Sequence, residues 1–227
     1  MKIAKGKLEE LYLDGCARIL CPPMLIPSPG QYLLAHADGS DSPLPVSLFP
    51  SLVLPDGGFR SAPPVPSSWR PGDSLTLRGP IGRGFHIPAA ARKIALIAFD
   101  DSPARLLGLV APALKQNAGI VLVSDSQTDD LPEVIEVQPL KALEDILHWA
   151  EYAAFDVDRE NLNQLRERLE GLNQPASKGE AQVLIRAPMP CGGIADCGVC
   201  ALSLRHDWKM ICRDGPVFEL EDVFFAR

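Results

Sequence analysis

The chain has 227 residues, 46% of them hydrophobic, which suits one large domain or two small ones with an appendage. A net charge of −7 argues against nucleic acid as a partner, because phosphate binding needs a basic face. No apolar run reaches the roughly 20 residues of a membrane span, and the start, MKIAKGKLEELYLDG, lacks the apolar stretch of a secretory signal; a cytoplasmic chain without membrane contact is expected.

Residues 1–90 read as a small antiparallel barrel. Short apolar runs at Ala17–Leu20, Tyr32–Ala35, Val46–Leu54 and Ser74–Leu77 alternate with turn signals at Pro22-Pro23, Pro29-Gly30, Asp56-Gly57-Gly58 and Pro71-Gly72. The texture changes at Lys93. Lys93–Phe99 is a continuous apolar run of the kind found in a buried parallel strand. Asp100-Asp101-Ser102-Pro103 then opens a helix, with Asp101 or Ser102 as its cap and Pro103 in its first turn. Ala104–Gln116 carries a helical pattern interrupted by Pro112. Gly119–Ser124 and Pro132–Val137 read as strands, Leu140–Phe155 and Arg159–Leu172 as helices, and Gln182–Ala187 as a final strand. Alternating strand and helix over residues 91–187 means an α/β layer. Residues 188–227 form a short Gly- and Cys-rich module, so the expected fold is multi-domain: barrel, α/β layer and C-terminal module.

Four of the six cysteines fall in that module, spaced C-x5-C-x2-C-x11-C at Cys191, Cys197, Cys200 and Cys212. A cytoplasmic chain seldom uses disulfides, so the group reads as metal ligands. A [2Fe–2S] cluster needs four thiolates, two per iron; a tight loop supplies three and a returning segment the fourth. Gly192, Gly193 and Gly198 let the backbone wrap closely. Structural zinc also takes four thiolates, usually on two short knuckles; the five-residue first gap favours iron, and a zinc-stabilised interaction module stays as the alternative. Cys16 and Cys21 read as buried strand thiols. His36, His86, His148 and His206 show no ligand spacing; His206 and Asp207 lie between the third and fourth cluster cysteines.

Met189-Pro190-Cys191-Gly192 and Cys212-Arg213-Asp214-Gly215-Pro216-Val217-Phe218 resemble the C-terminal cluster motif of the electron-transfer subunit of NAD-dependent dihydroorotate dehydrogenase, with one extra residue in the first gap. Pro29-Gly30-Gln31-Tyr32 and Gly79-Pro80-Ile81-Gly82-Arg83-Gly84-Phe85 resemble that family's flavin barrel. The resemblance implies a ferredoxin-reductase-like architecture. It also implies a [2Fe–2S] cluster on the four cysteines and a flavin-bearing, dihydroorotate-dehydrogenase-like catalytic subunit as partner. The family's flavin strand, Arg-Pro-aliphatic-Ser, appears as Leu44-Pro45-Val46-Ser47. That places Val46 and Ser47 beside an FAD but replaces the phosphate-pairing Arg by Leu, and Arg60 is the nearest substitute. The family's glycine-rich nicotinamide turn is here the acidic, glycine-free Phe99–Pro103, so NAD(P)H binding is not expected. The function expected is electron transfer without substrate chemistry; the alternative is a complete FAD-dependent NAD(P)H reductase.

Overall fold

The structure, a computed structural model, describes residues 1–100, 102–126, 131–172, 179–204 and 207–224. The N-terminal part is built from β1 (Lys2–Leu11), β2 (Ala17–Leu20), β3 (Tyr32–Ala37), β4 (Val46–Leu48), β5 (Pro50–Val53), β6 (Phe59–Ser61) and β7 (Ser74–Ile81). They pair antiparallel in the order β4-β3-β7-β1-β2-β6-β5, a nearly closed barrel. Alternation places one face of each strand inside: Leu75 and Leu77 are buried while Thr76 and Arg78 between and beside them are not. Leu8, Ile19, Leu33, Leu48, Phe59 and Trp69 complete that core. The stretch Val46–Leu54, read as one strand, is two: β4 and β5 flank Phe49 and pair with opposite sides of the barrel.

The second sheet contains β8 (Lys93–Ala98), β9 (Gly119–Val123), β10 (Ile135–Gln138), β11 (Tyr152–Asp158), β12 (Glu180–Arg186) and β15 (Val217–Glu219). Its order is β10-β9-β8-β11-β12-β15, the first five strands parallel and β15 antiparallel to β12. The chain runs outward from β8 to β10, then returns to start β11 on the other side of β8. That reversal makes the β8/β11 boundary the switch point where doubly wound sheets take their ligands. The remaining elements are α1 (Val110–Lys115), α2 (Leu143–Trp149), α3 (Leu162–Glu170), β13 (Ala201–Ser203), β14 (Trp208–Met210), α4 (Ile211–Asp214) and α5 (Leu220–Phe224).

Two helices differ from expectation. Leu140–Phe155 is not one helix: α2 stops at Trp149, Ala150 turns to an extended conformation, and Tyr152–Asp158 is the central strand β11, buried along nearly its whole length. Ala104–Gln116 begins as short 3-10 turns and becomes α-helical only over α1, where Pro112 falls in the first turn and its missing N–H breaks no bond. No described helix is long and apolar enough to cross a membrane.

Three of the short sequence motifs meet at one junction. Phe85 N–H donates to the Pro29 carbonyl at 2.9 Å, the Gln31 amide donates to the Gly82 carbonyl at 3.0 Å, and Arg83 N–H donates to the Gly215 carbonyl at 2.6 Å. Gly30, at φ +87°, stands so close to Val217 that an added Cβ would lie 2.6 Å from its methyl group. Barrel entry, barrel exit and the C-terminal Gly-Pro-Val-Phe segment are therefore held as one unit.

Candidate metal centre

The loop from Cys191 to Cys200 folds back on itself through left-handed residues, Gly192 (φ 67°), Gly193 (φ 78°), Ala195 (φ 62°) and Gly198 (φ 72°). Glycine is favoured at the first two by φ, and the space beside each is narrow. A Cβ on Gly192 would stand 2.9 Å from an Arg78 guanidinium nitrogen, and one on Gly193 would stand 3.1 Å from the Tyr32 hydroxyl. The loop thus lies directly on the barrel face formed by β3 and β7. Ala195 is the residue in this run that takes the left-handed conformation with a side chain, and it lies in the five-residue gap that distinguishes this loop.

All four cysteines are free thiols brought to this place, Cys197 exposed, Cys191 half-buried, Cys200 and Cys212 buried. They fall into two pairs. The Cys212 N–H approaches Cys200 Sγ at 3.5 Å, and among the thiols Cys197 acts most on Cys191 and Cys200 most on Cys212. Among the described residues, no three His, Cys, Asp or Glu side chains are gathered as a single-ion site. The two pairs differ electrostatically. At Cys191 burial opposes the charge, but N–H groups of Asp196, Cys197 and Ile194 outweigh it and lower the thiol to about 6. Cys212 is pushed up to about 12 by burial and by the Cys200 thiol.

The barrel also holds the fourth cysteine. Tyr32, fully buried on β3, donates its hydroxyl to the Cys212 carbonyl at 2.8 Å. Its ring packs 5.5 Å from that of Phe49. Burial, with the charge of Cys212 and Cys200, raises its pKa, so it stays a donor. Arg159, at the start of the α3 turn, donates to the Val199 carbonyl and pins the far side of the loop. Around the loop lies an apolar rim of Ile194, Val199 and Trp208, exposed by 60%, 46% and 67%. Trp208 escapes a sequence reading because nothing in its neighbourhood marks it; the β13–β14 hairpin sets it opposite Ser203, three residues after Cys200. His206 lies outside the described residues. Cys16 and Cys21 take no part: both are pushed up to about 11, Cys16 by burial and Asp14, Cys21 by burial alone.

The flavin strand is only half equipped. Ser47 and Val46 lie on β4, paired to Leu34 and Ala35. Leu44, at the place of the phosphate-pairing Arg, is exposed. Arg60 does not substitute: it is ion-paired to Asp14 and stacked 4.5 Å over the Tyr12 ring. No helix separates β6 from β7, so no helix N-terminus is offered to a pyrophosphate there.

The switch point of the parallel sheet is filled from within. Asp156, 2% exposed on β11, accepts from Arg105 at 3.1 Å and from Arg186 at 2.9 Å. Arg186 also binds Asp158 and Asp100. Asp100 accepts in addition from the Asn161 amide at 2.6 Å and from the Asp158 N–H. Arg105 reaches across to the Pro63 carbonyl of the barrel. Asp101, the other acidic residue of this turn, lies outside the described residues. Burial works against the Arg186 charge, but Asp156 and Asp100 outweigh it and raise its pKa.

Residues 188–224 match the iron–sulfur cluster-binding domain of dihydroorotate dehydrogenase B. The segment is an iron–sulfur cluster-binding domain of that type. Over 180 residues the chain is 26% identical to the electron-transfer subunit of dihydroorotate dehydrogenase B (NAD(+)) of Caldanaerobacter subterraneus subsp. tengcongensis, covering 70% of each chain. It is thus a homologue of that electron-transfer subunit. Among solved structures it resembles an NADH-dependent reduced ferredoxin–NADP oxidoreductase described for flavin-based electron bifurcation, with a TM-score of 0.77 and 16% identity over 97% of this chain and 90% of that one. A ferredoxin–NADP+ reductase from Neisseria gonorrhoeae has a TM-score of 0.56 at 12% identity, over 82% and 98%. These likenesses establish a ferredoxin-reductase-like fold with an iron–sulfur domain appended.

Proposed function

We propose that the chain is an electron-transfer subunit carrying a [2Fe–2S] cluster on Cys191, Cys197, Cys200 and Cys212. The observation that carries this is that all four thiols, spaced C-x5-C-x2-C-x11-C, lie within residues 188–224, the stretch that matches an iron–sulfur cluster-binding domain. Such a cluster, when bound, accepts and returns one electron at a time. The chain's own residues prepare for it. Backbone N–H groups of Ile194, Asp196 and Cys197 favour the Cys191 thiolate, the Ala195 N–H does the same for Cys212, and Tyr32 fixes the Cys212 backbone. Residues 1–90 supply the barrel face beneath the loop, 91–187 the α/β support, and 188–227 the ligands. Anaerobically purified protein is expected to hold two irons and two sulfides per chain, and to show a one-electron paramagnetic signal after dithionite reduction. A colourless protein containing one zinc per chain would refute the assignment.

The partner in this reading is a flavin-bearing catalytic subunit of the dihydroorotate-dehydrogenase type, docking on the apolar rim around the exposed Cys197, which carries little charge apart from Asp196. Interface centres are depleted of charge, and Ile194, Val199 and Trp208 fit that pattern. Val199→Asp is expected to weaken co-purification with the partner at least tenfold while leaving the visible absorbance unchanged. Equal recovery of the partner by both proteins, measured by pull-down, would remove this surface from consideration.

A pyridine nucleotide has no place in the proposed mechanism, because carboxylates and guanidinium groups of the chain itself fill the switch point. Calorimetric titration with NADH or NADPH is expected to give no heat of binding up to millimolar ligand. A micromolar dissociation constant accompanied by NADH turnover would instead favour the complete reductase. The flavin strand keeps Val46 and Ser47 but lacks the pyrophosphate partners, so no step is routed through FAD.

A further inference from the structure

We infer that Arg78 is the charge-compensating residue of the metal centre, a cation held by the barrel against the cysteine loop to stabilise the reduced cluster. The inference rests on the cluster reading above. Arg78 lies near the end of β7, registered against Ile3 of β1 and Leu34 of β3, and is half-buried. Its guanidinium reaches the loop at Gly192, next to Cys191, and its charge is felt at the Tyr32 hydroxyl, which itself holds Cys212. One cation therefore lies against the loop next to Cys191 and acts on the hydroxyl that holds Cys212.

The arginines at the sheet switch point, Arg105 and Arg186, are tied to carboxylates. So are Arg18 and Arg60 on the barrel. Arg78 has no such partner among the described residues, although it is further from solvent than many paired side chains. A half-buried cation without a counter-ion is costly unless a negative charge faces it. The group the guanidinium is shown to face is the loop backbone at Gly192, next to Cys191. Two ferric ions, two sulfides and four thiolates make a dianion, and the electron that reduces it makes a trianion. The missing counter-ion of Arg78 is thus supplied when the loop is loaded, and the attraction grows on reduction. Gly192 has a second role here: without a side chain it lets the guanidinium approach the loop backbone.

The test uses the full chain, purified anaerobically with its cluster, and redox titration followed by the paramagnetic signal of the reduced form. Arg78→Gln is expected to shift the midpoint potential to more negative values, because the trianion loses its nearby cation. Arg78→Lys, which keeps the charge, is expected to restore most of the shift. Arg92→Gln, an exposed arginine bonded to the Ala89 and Ala91 carbonyls, is expected to leave the potential unchanged. Should Arg78→Gln lose iron while Arg78→Lys retains it, the need for positive charge is shown by another route. An unshifted Arg78→Gln protein, or equal shifts in the Gln and Lys variants, or loss of iron in both, overturns the inference while the cluster assignment stands. A wild-type protein without any iron–sulfur signal overturns both together.

Discussion

Replacing Cys212 by serine is expected to remove or strongly alter the chain's bound iron. Cys212 is fully buried on α4, and Tyr32 fixes its backbone so that its position is set by the barrel rather than by the loop. A serine hydroxyl at this place offers a harder, protonated oxygen where a thiolate is needed. The same outcome is expected at Cys191, Cys197 and Cys200, each of which supplies one of four iron bonds in the proposed cluster, whereas Cys16→Ser and Cys21→Ser should keep full iron content. Iron and sulfide assays together with visible absorbance decide the matter. Iron lost from Cys16→Ser but kept in Cys212→Ser would show that the ligand set has been misassigned.

Asp156→Ala should be the most damaging substitution for stability, by about 3–5 kcal/mol. The carboxylate neutralises Arg105, whose side chain is 6% exposed, and shares Arg186 with Asp100. Without it two guanidinium groups stay in the interior with too little negative charge. A buried pair is not itself a source of great stability, so the loss comes from the orphaned cations and not from a strong bond. Replacing Arg105 and Asp156 together by leucines is therefore expected to recover part of the loss. Urea unfolding followed by far-ultraviolet circular dichroism measures both; an Asp156→Ala midpoint equal to that of the wild type would mean that water, not protein, balances these arginines.

The cysteine module was legible because its chemistry is local: ligand spacing and glycines sit within a few residues of one another. So were the apolar strands β2, β3, β8, β9 and β12, whose burial on both faces or strict alternation leaves a mark in the sequence. β1 was not, because half of its ten residues are charged and most are exposed, with Leu8 alone fully buried. β11 was hidden by Ala153 and Ala154, which read as continuing α2, and by two aspartates that no isolated strand would carry into a core. Those aspartates make sense only once Arg105 and Arg186 arrive from other elements. The same holds for the floor of the metal centre. Tyr32 and Arg78 lie more than a hundred positions before Cys191, and only closure of the barrel places them under the loop.

The filled switch point also limits the traffic that the chain can carry. Ferredoxin-reductase-like folds are commonly thought of as converters, taking a hydride's two electrons at one end and releasing them singly at the other. In the proposed reading, the ion pairs of Asp100, Asp156, Arg105 and Arg186 fill the inlet that a hydride donor would use. The approach that reading leaves is the face that carries exposed Cys197 and Val199. Electrons then enter and leave through the same door, one at a time and between proteins, and the chain behaves as a plug-in terminal rather than a transformer.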